Sequence, residues 1–523
     1  MAGAAQRFDL GIEDRRSRFC SSCRNNRPAA GYSAGSYSTA ICFTIKDKLL
    51  LRLADVIEAL TNIRPETTSP VISGAVIDSR QVSGAGSLFI AIPGENVDGH
   101  DYIADAFQRG TSFALTQREV SGKFPTLDLR KDFSPEILDG LETPFCLRVE
   151  NTVTALQQIA RFWRNKLDLR VIGITGSVGK STTKELAAEV LGQRYRTLKN
   201  YGNLNNEIGL PLTILGLSSK HERAILEMGL YVPGEIALLC DIARPQVGVI
   251  TNIGTVHAER AGSQEAIARG KAELVQSLPP APEGVAILNY DDPWVRKMAE
   301  KTSARVFFYG LSAEADLWAD QVEGLGLDGI RFRLHYGNET LHMRVPLIGR
   351  HSVHTALRST AIGLVEGLTW QEIIKGLRQG RAQLRLVAVR SKCGALLLDD
   401  TYNASPASTL AALNLLNELD GHKIAVLGDM LELGQYERQG HELAGLRAAA
   451  VADILVTLGA RAHIIAEAAR NAGMPENAII EFKETAPIVD WLNKNLTNKH
   501  SVLIKGSHGL RMDRIVAALE AEK

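Results

Sequence analysis

The segment RVIGITGSVGKSTTKELAAEVL, Arg170 to Leu191, constrains this chain more than any other stretch of it. Its apolar start, Val171 to Ile174, predicts a strand. TGSVGKS, from Thr175 to Ser181, predicts a glycine-containing loop, and a helix follows from about Lys180. That order turns backbone N–H groups and a helix N-terminus toward one point, where they can cradle a phosphate. Lys180 would then neutralise the β- and γ-phosphates, and the Ser181 hydroxyl would hold Mg²⁺. The general pattern asks for glycine five residues before Gly179, where this chain has Ile174. The nearest glycines are Gly173 and Gly176, and an ordinary strand–turn–helix connection is the alternative.

A chain of 523 residues is long enough for three to four domains with clefts between them. Lys plus Arg and Asp plus Glu both number 59, so no overall field draws in nucleic acid or an anionic membrane. Any anionic ligand has to be held by a local site. No apolar run approaches the roughly 20 residues that span a bilayer, which predicts a soluble protein without membrane insertion. Six cysteines are too few and too scattered for a disulfide framework, which fits a reducing cytoplasm. Cys20 and Cys23 have metal-like spacing but lack a second pair, and read as a chance pair in a tail.

Residues 1–47 are rich in Ala, Gly, Ser, Arg and Asn and read as a disordered extension. Asp9, Glu13 and Asp14 argue against a transit peptide, and no apolar core of a secretory signal follows the charges. Residues 48–150 begin with the amphipathic stretch LLLRLADVIEAL and continue with short strands and glycine-rich turns, a small α/β domain. In residues 151–380 the strands RVIGITG, RAILEMG, VGVITNIG and VAILNYDD alternate with helical stretches, as in a mainly parallel sheet covered by helices. Residues 381–523 repeat that alternation with ALLLDD, KIAVLGDM, DILVTLG and SVLIKGS and read as a Rossmann-like unit.

Several side chains stand where a metal or nucleotide site would need them, each with an ordinary reading beside it. Glu227 ends the strand AILEMG, at the edge where α/β sheets bind ligands, but a solvated strand-end carboxylate fits as well. His257 follows TNIGTV and offers a nitrogen ligand, or is one more loop histidine. Lys271, in EAIARGKAELVQSL, is by default an exposed helix lysine. ALLLDD imitates a Walker B strand with Asp399 or Asp400 on Mg²⁺, but it lies in another domain from the loop and no LSGGQ signature accompanies it.

Taken together, TGSVGKSTTKEL, GNLNNEIGLP, LEMG with PGEI, NIGTVH, IARGKAEL, DDTYNASPAS, VLGDMLELG and LIKGSHG resemble the bacterial Mur ligases. The resemblance runs from about residue 48 to the end. DDTYNASP, LGDMLELG and VIDSR…GSLFIAIPGENVDGH point within the family to ligases that add D-alanyl-D-alanine to UDP-MurNAc-tripeptide. Against the family pattern TG-x-x-GK-[ST], Ile174 is no longer a mismatch. The resemblance implies three domains, for the UDP-linked substrate, for ATP and for D-Ala-D-Ala, in a cytoplasmic bacterial enzyme that acts as a monomer. It implies an acyl-phosphate route to UDP-MurNAc-pentapeptide for peptidoglycan.

The resemblance also implies residue roles. Thr175, Gly176, Ser177, Val178, Gly179, Lys180, Ser181 and Thr182 grip the ATP phosphates. Ser181 holds one Mg²⁺, while Glu227, His257 and Lys271, the last as a carbamate formed with CO₂, hold a second. Asn289 and Asp292 stand near adenine, Arg385 and Asp400 reach ATP from the third domain, and Asn206 approaches the tripeptide carboxylate. Asp78, Ser79 and Arg80 line the uridine-diphosphate site; Asn403, Ser405 and Ser507 belong to the D-Ala-D-Ala pocket.

Departures from the pattern are local. G-x-H-N-V-x-N-A appears as GRHSVHTA, with Ser352 and Thr355 in place of asparagines, and KGSRG appears as KGSHG, with His508 for arginine. These shorten or remove polar contacts. The alternatives are another amide ligase of the same chemistry, such as a different Mur enzyme or a folylpolyglutamate synthetase, and a non-catalytic homologue acting as a binding protein.

Overall fold

The computed structural model describes residues 49–66, 69–94, 97–120, 124–132, 134–255, 258–379 and 387–521. The expected extension, with Cys20 and Cys23, lies outside the described residues, as do His257 and Arg385. The first expected helix forms over Leu53–Thr61.

Three sheets follow along the chain. The first holds β1 (Gly74–Val76), β2 (Ser87–Ile90), β3 (Phe113–Thr116), β4 (Thr126–Asp128) and β5 (Phe145–Arg148), in the order β1-β2-β3-β5-β4. All its pairings are parallel.

The second sheet contains β6 (Arg170–Thr175), β7 (Thr197–Lys199), β8 (Arg223–Glu227), β9 (Val247–Ile250), β10 (Val285–Asn289), β11 (Arg305–Gly310), β12 (Leu317–Gly324), β13 (Ile330–Tyr336) and β14 (Glu339–Val345). Its order is β14-β13-β12-β11-β10-β9-β6-β8-β7. The run from β7 to β12 is parallel. β12, β13 and β14 add an antiparallel meander. Its strands alternate buried and outward residues, as IRFRLHY requires with one face on the core and one in water. β8 and β9 flank β6 on opposite sides, so the loop after β6 opens at the strands' carboxyl edge, where connections part and α/β sheets bind ligands.

The third sheet has β15 (Val387–Arg390), β16 (Leu396–Asp400), β17 (His422–Gly428), β18 (Ile454–Leu458), β19 (Ile479–Phe482) and β20 (His500–Lys505). Its order is β15-β16-β20-β17-β18-β19, parallel except for the β15 edge. The fold is thus α/β with three mainly parallel sheets.

The helix Thr152–Lys166 joins the first sheet to the second. Asn151 caps it by accepting from the Thr154 N–H at 2.9 Å, and Leu156, Ile159, Ala160 and Trp163 recur at helical spacing on its buried face. They pack in one core with Phe113 and Leu147 of the first sheet and with Leu210 and Leu239 beside the second. Trp163 donates its indole N–H to the Leu217 carbonyl at 3.0 Å. Buried Arg164 donates to the carbonyls of Ala243, Leu167 and Leu169 at 2.9, 3.0 and 3.0 Å. On the other face of the second sheet, the helix Lys180–Leu191 shares a core with the helix Val353–Val365 through Leu186, Val190, Leu357 and Ala361. Among the described residues no helix is long and apolar enough to cross a membrane.

Candidate functional site

The loop from Thr175 to Lys180 is fixed mainly by its own neighbours. Thr175 donates its hydroxyl to the Met228 carbonyl at 2.9 Å, tying the end of β6 to that of β8. The Ser177 N–H meets the Asn252 carbonyl at 2.9 Å, the Val178 N–H meets Asn252 Oδ1 at 2.8 Å, and the Ser177 hydroxyl accepts from the Gly254 N–H at 2.8 Å. Asn252 and Gly254, in the loop after β9, therefore template the phosphate loop. Gly176 has φ +144°, and a Cβ there would collide with the Thr251 hydroxyl. Gly179 caps the following helix at φ +85°. Lys180 bridges the loop by donating to the Gly176 carbonyl at 2.8 Å.

On one side of the loop lies a buried carboxylate. Glu227 is 1% exposed; its Oε1 accepts from Asn205 Nδ2 at 2.9 Å, while Oε2 has no hydrogen-bond partner. The Lys184 ammonium stands 3.8 Å from Oε2 and donates instead to the carbonyls of Asn200 and Gly202 at 2.8 and 3.2 Å. A carboxylate oxygen buried with an open lone pair is a suitable ligand for a hard cation. Lys271, 2% exposed, has no hydrogen-bond or ion-pair partner among the described residues. Burial, and then the charge of Lys180, hold its ammonium well below the usual lysine range and so favour the neutral amine. Asn206, beside Asn205, accepts from the N–H groups of Gly209 and Ile208 at 2.9 and 3.4 Å and so starts the helix Gly209–Leu215. Among the described residues no three His, Cys, Asp or Glu side chains converge as a metal site.

On the other side a cavity of ≈ 340 Å³ opens between the second and third sheets. Ser177 to Thr182 form one wall, with Thr251, Asn252 and Asn289 from the strand ends of the same sheet. His351, Ser352, His354, Thr355 and Arg358 come from the start of the helix Val353–Val365 and the turn before it. Asp400, Asn403, Ser405 and Lys505 close the cavity from the third sheet. Lys505, buried, donates to Asp400 Oδ2 at 2.6 Å and to the Asn403 carbonyl at 2.9 Å. A carboxylate on the end of β16 thus faces the phosphate loop from a different sheet. Asp399, its neighbour, accepts instead from the Thr401 N–H and hydroxyl at 3.1 and 2.7 Å.

Three family models match in succession. The model described as Mur ligase family, catalytic domain, covers residues 71–164; Mur ligase middle domain covers 174–363; and Mur ligase, glutamate ligase domain, covers 381–508. The chain belongs to the Mur ligase family. A UDP-N-acetylmuramoyl-tripeptide–D-alanyl-D-alanine ligase of Bacillus subtilis is 34% identical over 463 residues, covering 88% of this chain and 95% of that protein. The structure of MurF from Acinetobacter baumannii superposes with a TM-score of 0.77 at 30% identity, covering 90% of this chain and 98% of the other. MurF from Thermotoga maritima in complex with ADP gives 0.70 at 26%, covering 86% and 97%.

Within this Mur ligase the expected residues fall into groups. Ser177 to Thr182, Asn289, Asp400, Asn403 and Ser405 line the one cavity. Thr175 and Gly176 lie behind it as the loop's root. Glu227, Lys271 and Asn206 are outside the cavity lining, although the charge of Lys180 still bears on Lys271. Asp292 does not line the cavity: its carboxylate accepts from the N–H groups of Ile253, Trp294 and Val295 at 2.8, 2.9 and 3.2 Å. It acts at one remove, by holding the loop that templates Ser177 and Val178. Ser507 is likewise set back, accepting from the Leu431 N–H at 2.9 Å. Asp78 and Arg80 form a bidentate pair at 2.9 and 2.7 Å around buried Ser79, on a turn of the first domain away from the cavity.

The sequence reading missed Asn252, His354, Arg358 and Lys505 as cavity residues. For His354 and Arg358 a signal existed: polar residues at 351, 354 or 355 and 358 recur at helical spacing on one face. Lys505 looked like the last residue of an apolar strand.

Proposed function

We propose that this Mur ligase joins D-alanyl-D-alanine to UDP-MurNAc-tripeptide at the expense of ATP, giving UDP-MurNAc-pentapeptide. The observation that carries the reading is the cavity in which the phosphate loop of one sheet faces Asp400 and Lys505 of another, in a chain that matches ligases named for this reaction over nearly their whole length. A carboxylate is a poor acyl donor because oxide is a poor leaving group. Phosphorylation corrects that. A carboxylate oxygen of the tripeptide attacks the γ-phosphorus and ADP departs. The amine of D-Ala-D-Ala then attacks the acyl carbon, loses a proton, forms the C–N bond and expels inorganic phosphate.

The protein's part is to bring anions together and keep water out. The loop N–H groups and Lys180 neutralise the γ-phosphoryl group. Asn206 orients the tripeptide carboxylate, while Asn289 and, one step back, Asp292 support the adenine side. Asp400 and Arg385 reach the nucleotide from the third domain. Asp78, Ser79 and Arg80 take the uridine diphosphate, and Asn403, Ser405 and Ser507 take D-Ala-D-Ala.

The open, buried oxygen of Glu227 suits a divalent metal. Ser181 would hold one Mg²⁺, and Glu227, His257 and Lys271 a second. Bound there, Mg²⁺ supplies charge neutralisation between phosphate and carboxylate. For Lys271 to take part it must become an anion: its neutral amine attacks CO₂, forms an N–C bond and loses a proton, giving a carbamate. The reading carries with it a cytoplasmic bacterial enzyme acting as a monomer. Release of phosphate from ATP that requires both UDP-MurNAc-tripeptide and D-Ala-D-Ala tests it, and release with neither or only one of them would contradict it.

A further inference from the structure

Arg358 lines the cavity, and the reading above gives it no role. It sits on the helix Val353–Val365, is 5% exposed and lines the cavity beside the phosphate loop. Its Nε–H donates to the Thr183 hydroxyl at 2.8 Å, Nη2 to the Thr355 hydroxyl at 3.0 Å and Nη1 to the Tyr309 hydroxyl at 3.4 Å. All three partners are neutral. Among the described residues no carboxylate pairs with it, whereas the other buried cation of this wall, Lys505, has Asp400 at 2.6 Å. Burying a guanidinium without a counter-ion is costly, and only these neutral hydrogen bonds and the Tyr309 ring, 5.8 Å from the guanidinium carbon, offset it here.

The geometry says where the counter-ion belongs. A Cβ placed on Gly179 would stand 2.8 Å from Arg358 Nη2, so the guanidinium lies against the backbone of the phosphate loop at the start of its helix. Thr183, which accepts from Nε, donates in turn to the Gly179 carbonyl at 2.6 Å, linking the side chain to that same turn. A guanidinium carries five N–H donors, and the three bonds above leave two without a partner among the described residues. Lys180, Lys505 and Arg358 face the cavity against the single carboxylate of Asp400, an excess of positive charge suited to a polyphosphate. Ser352 and Thr355 are short polar residues, and the longer arm of Arg358 comes about one and a half turns into the helix.

We propose that Arg358 is a nucleotide-binding residue, pairing its guanidinium with the polyphosphate of ATP where it crosses Gly179. This rests on the ATP-dependent reading of the cavity. Arginine suits the task because its planar fork matches phosphate oxygens and stays charged when buried.

The test is calorimetric titration of the full-length protein with ADP and with adenosine, comparing wild type, R358M and R358K. Losing a hydrogen bond to a charged group weakens binding by about 10- to 100-fold, so R358M should lose that much for ADP and less than about threefold for adenosine. R358K, which keeps the charge without the fork, should fall between wild type and R358M. Unchanged ADP affinity in R358M overturns the proposal, and so does an equal loss for ADP and adenosine, which would mark Arg358 as a packing residue. If R358M does not fold, R358Q is judged by the same ADP-to-adenosine ratio. A wild-type protein that binds no ADP would sink the ATP reading itself, while equal ADP binding by wild type and R358M sinks only the role of Arg358.

Discussion

Lys271 is a costly residue to bury, and the proposed carbamate would give the site a use for it. Its amine is buried in the helix Gln264–Gln276 without a partner among the described residues, and burial depresses its proton affinity. Between the depressed folded value and the ordinary value of 10.5, the unfolded chain binds a proton that the folded chain does not. Lys271 therefore lowers stability as pH falls from 10.5 into that window, and its contribution recovers as pH rises. Lys271→Met should leave the unliganded melting temperature unchanged or higher and flatten this dependence, while cutting ligase turnover by about 100-fold or more through loss of the carbamate. A melting curve at two pH values beside a phosphate-release assay checks both halves. Full activity in Lys271→Met, or wild-type activity indifferent to removal of CO₂, would rule out the carbamate. Glu227→Gln probes the same side: it keeps the bond to Asn205 in shape but removes the charge that faces the open position. Its expected signature is a rise of about tenfold or more in the Mg²⁺ concentration needed for half-maximal rate.

At the scale of elements, the helix Thr152–Lys166 is the joint between the first two sheets, and Arg164 is its pin. Arg164→Met leaves three carbonyls without their donor, a loss of roughly 2–3 kcal/mol by the cost of unsatisfied buried groups. Denaturant unfolding should show that loss while turnover at low temperature stays near wild type. Elements of this kind were legible in the sequence where one force dominated. β6, β8, β9 and β10 stand out as apolar runs because parallel strands are buried on both faces. The phosphate loop was legible because glycine, lysine and serine spacing has few other uses. The antiparallel meander β12–β14 does not stand out in that way, because IRFRLHY alternates buried and outward residues and so forms no continuous apolar run. The resemblance implies a place near adenine for Asp292, whereas in the fold its oxygens are occupied by backbone N–H groups. Arg358 was illegible for a different reason: an arginine seven residues after His351 looks exposed until the partner helix Lys180–Leu191 is known to cover it.

For the molecule as a whole, the cavity is completed by residues over 200 positions apart, from Ser177 to Lys505, so nucleotide binding and chemistry belong to two sheets at once. A nucleotide bound in that cavity would be held from both sheets, with Asp400 as the third sheet's carboxylate. Asp400→Ala should therefore weaken ADP binding by about three- to tenfold and lower kcat/KM further, since it also strips Lys505 of its ion pair. Equal ADP affinity and equal turnover would separate the third sheet from the reaction. On the proposed function, one chain couples ATP cleavage to amide formation between two particular substrates. The direct measurement is phosphate release from ATP by the purified protein with UDP-MurNAc-tripeptide and D-Ala-D-Ala, supplied separately and together. Release with the pair, matched by formation of UDP-MurNAc-pentapeptide, is the predicted result; no release above background with both present would contradict it.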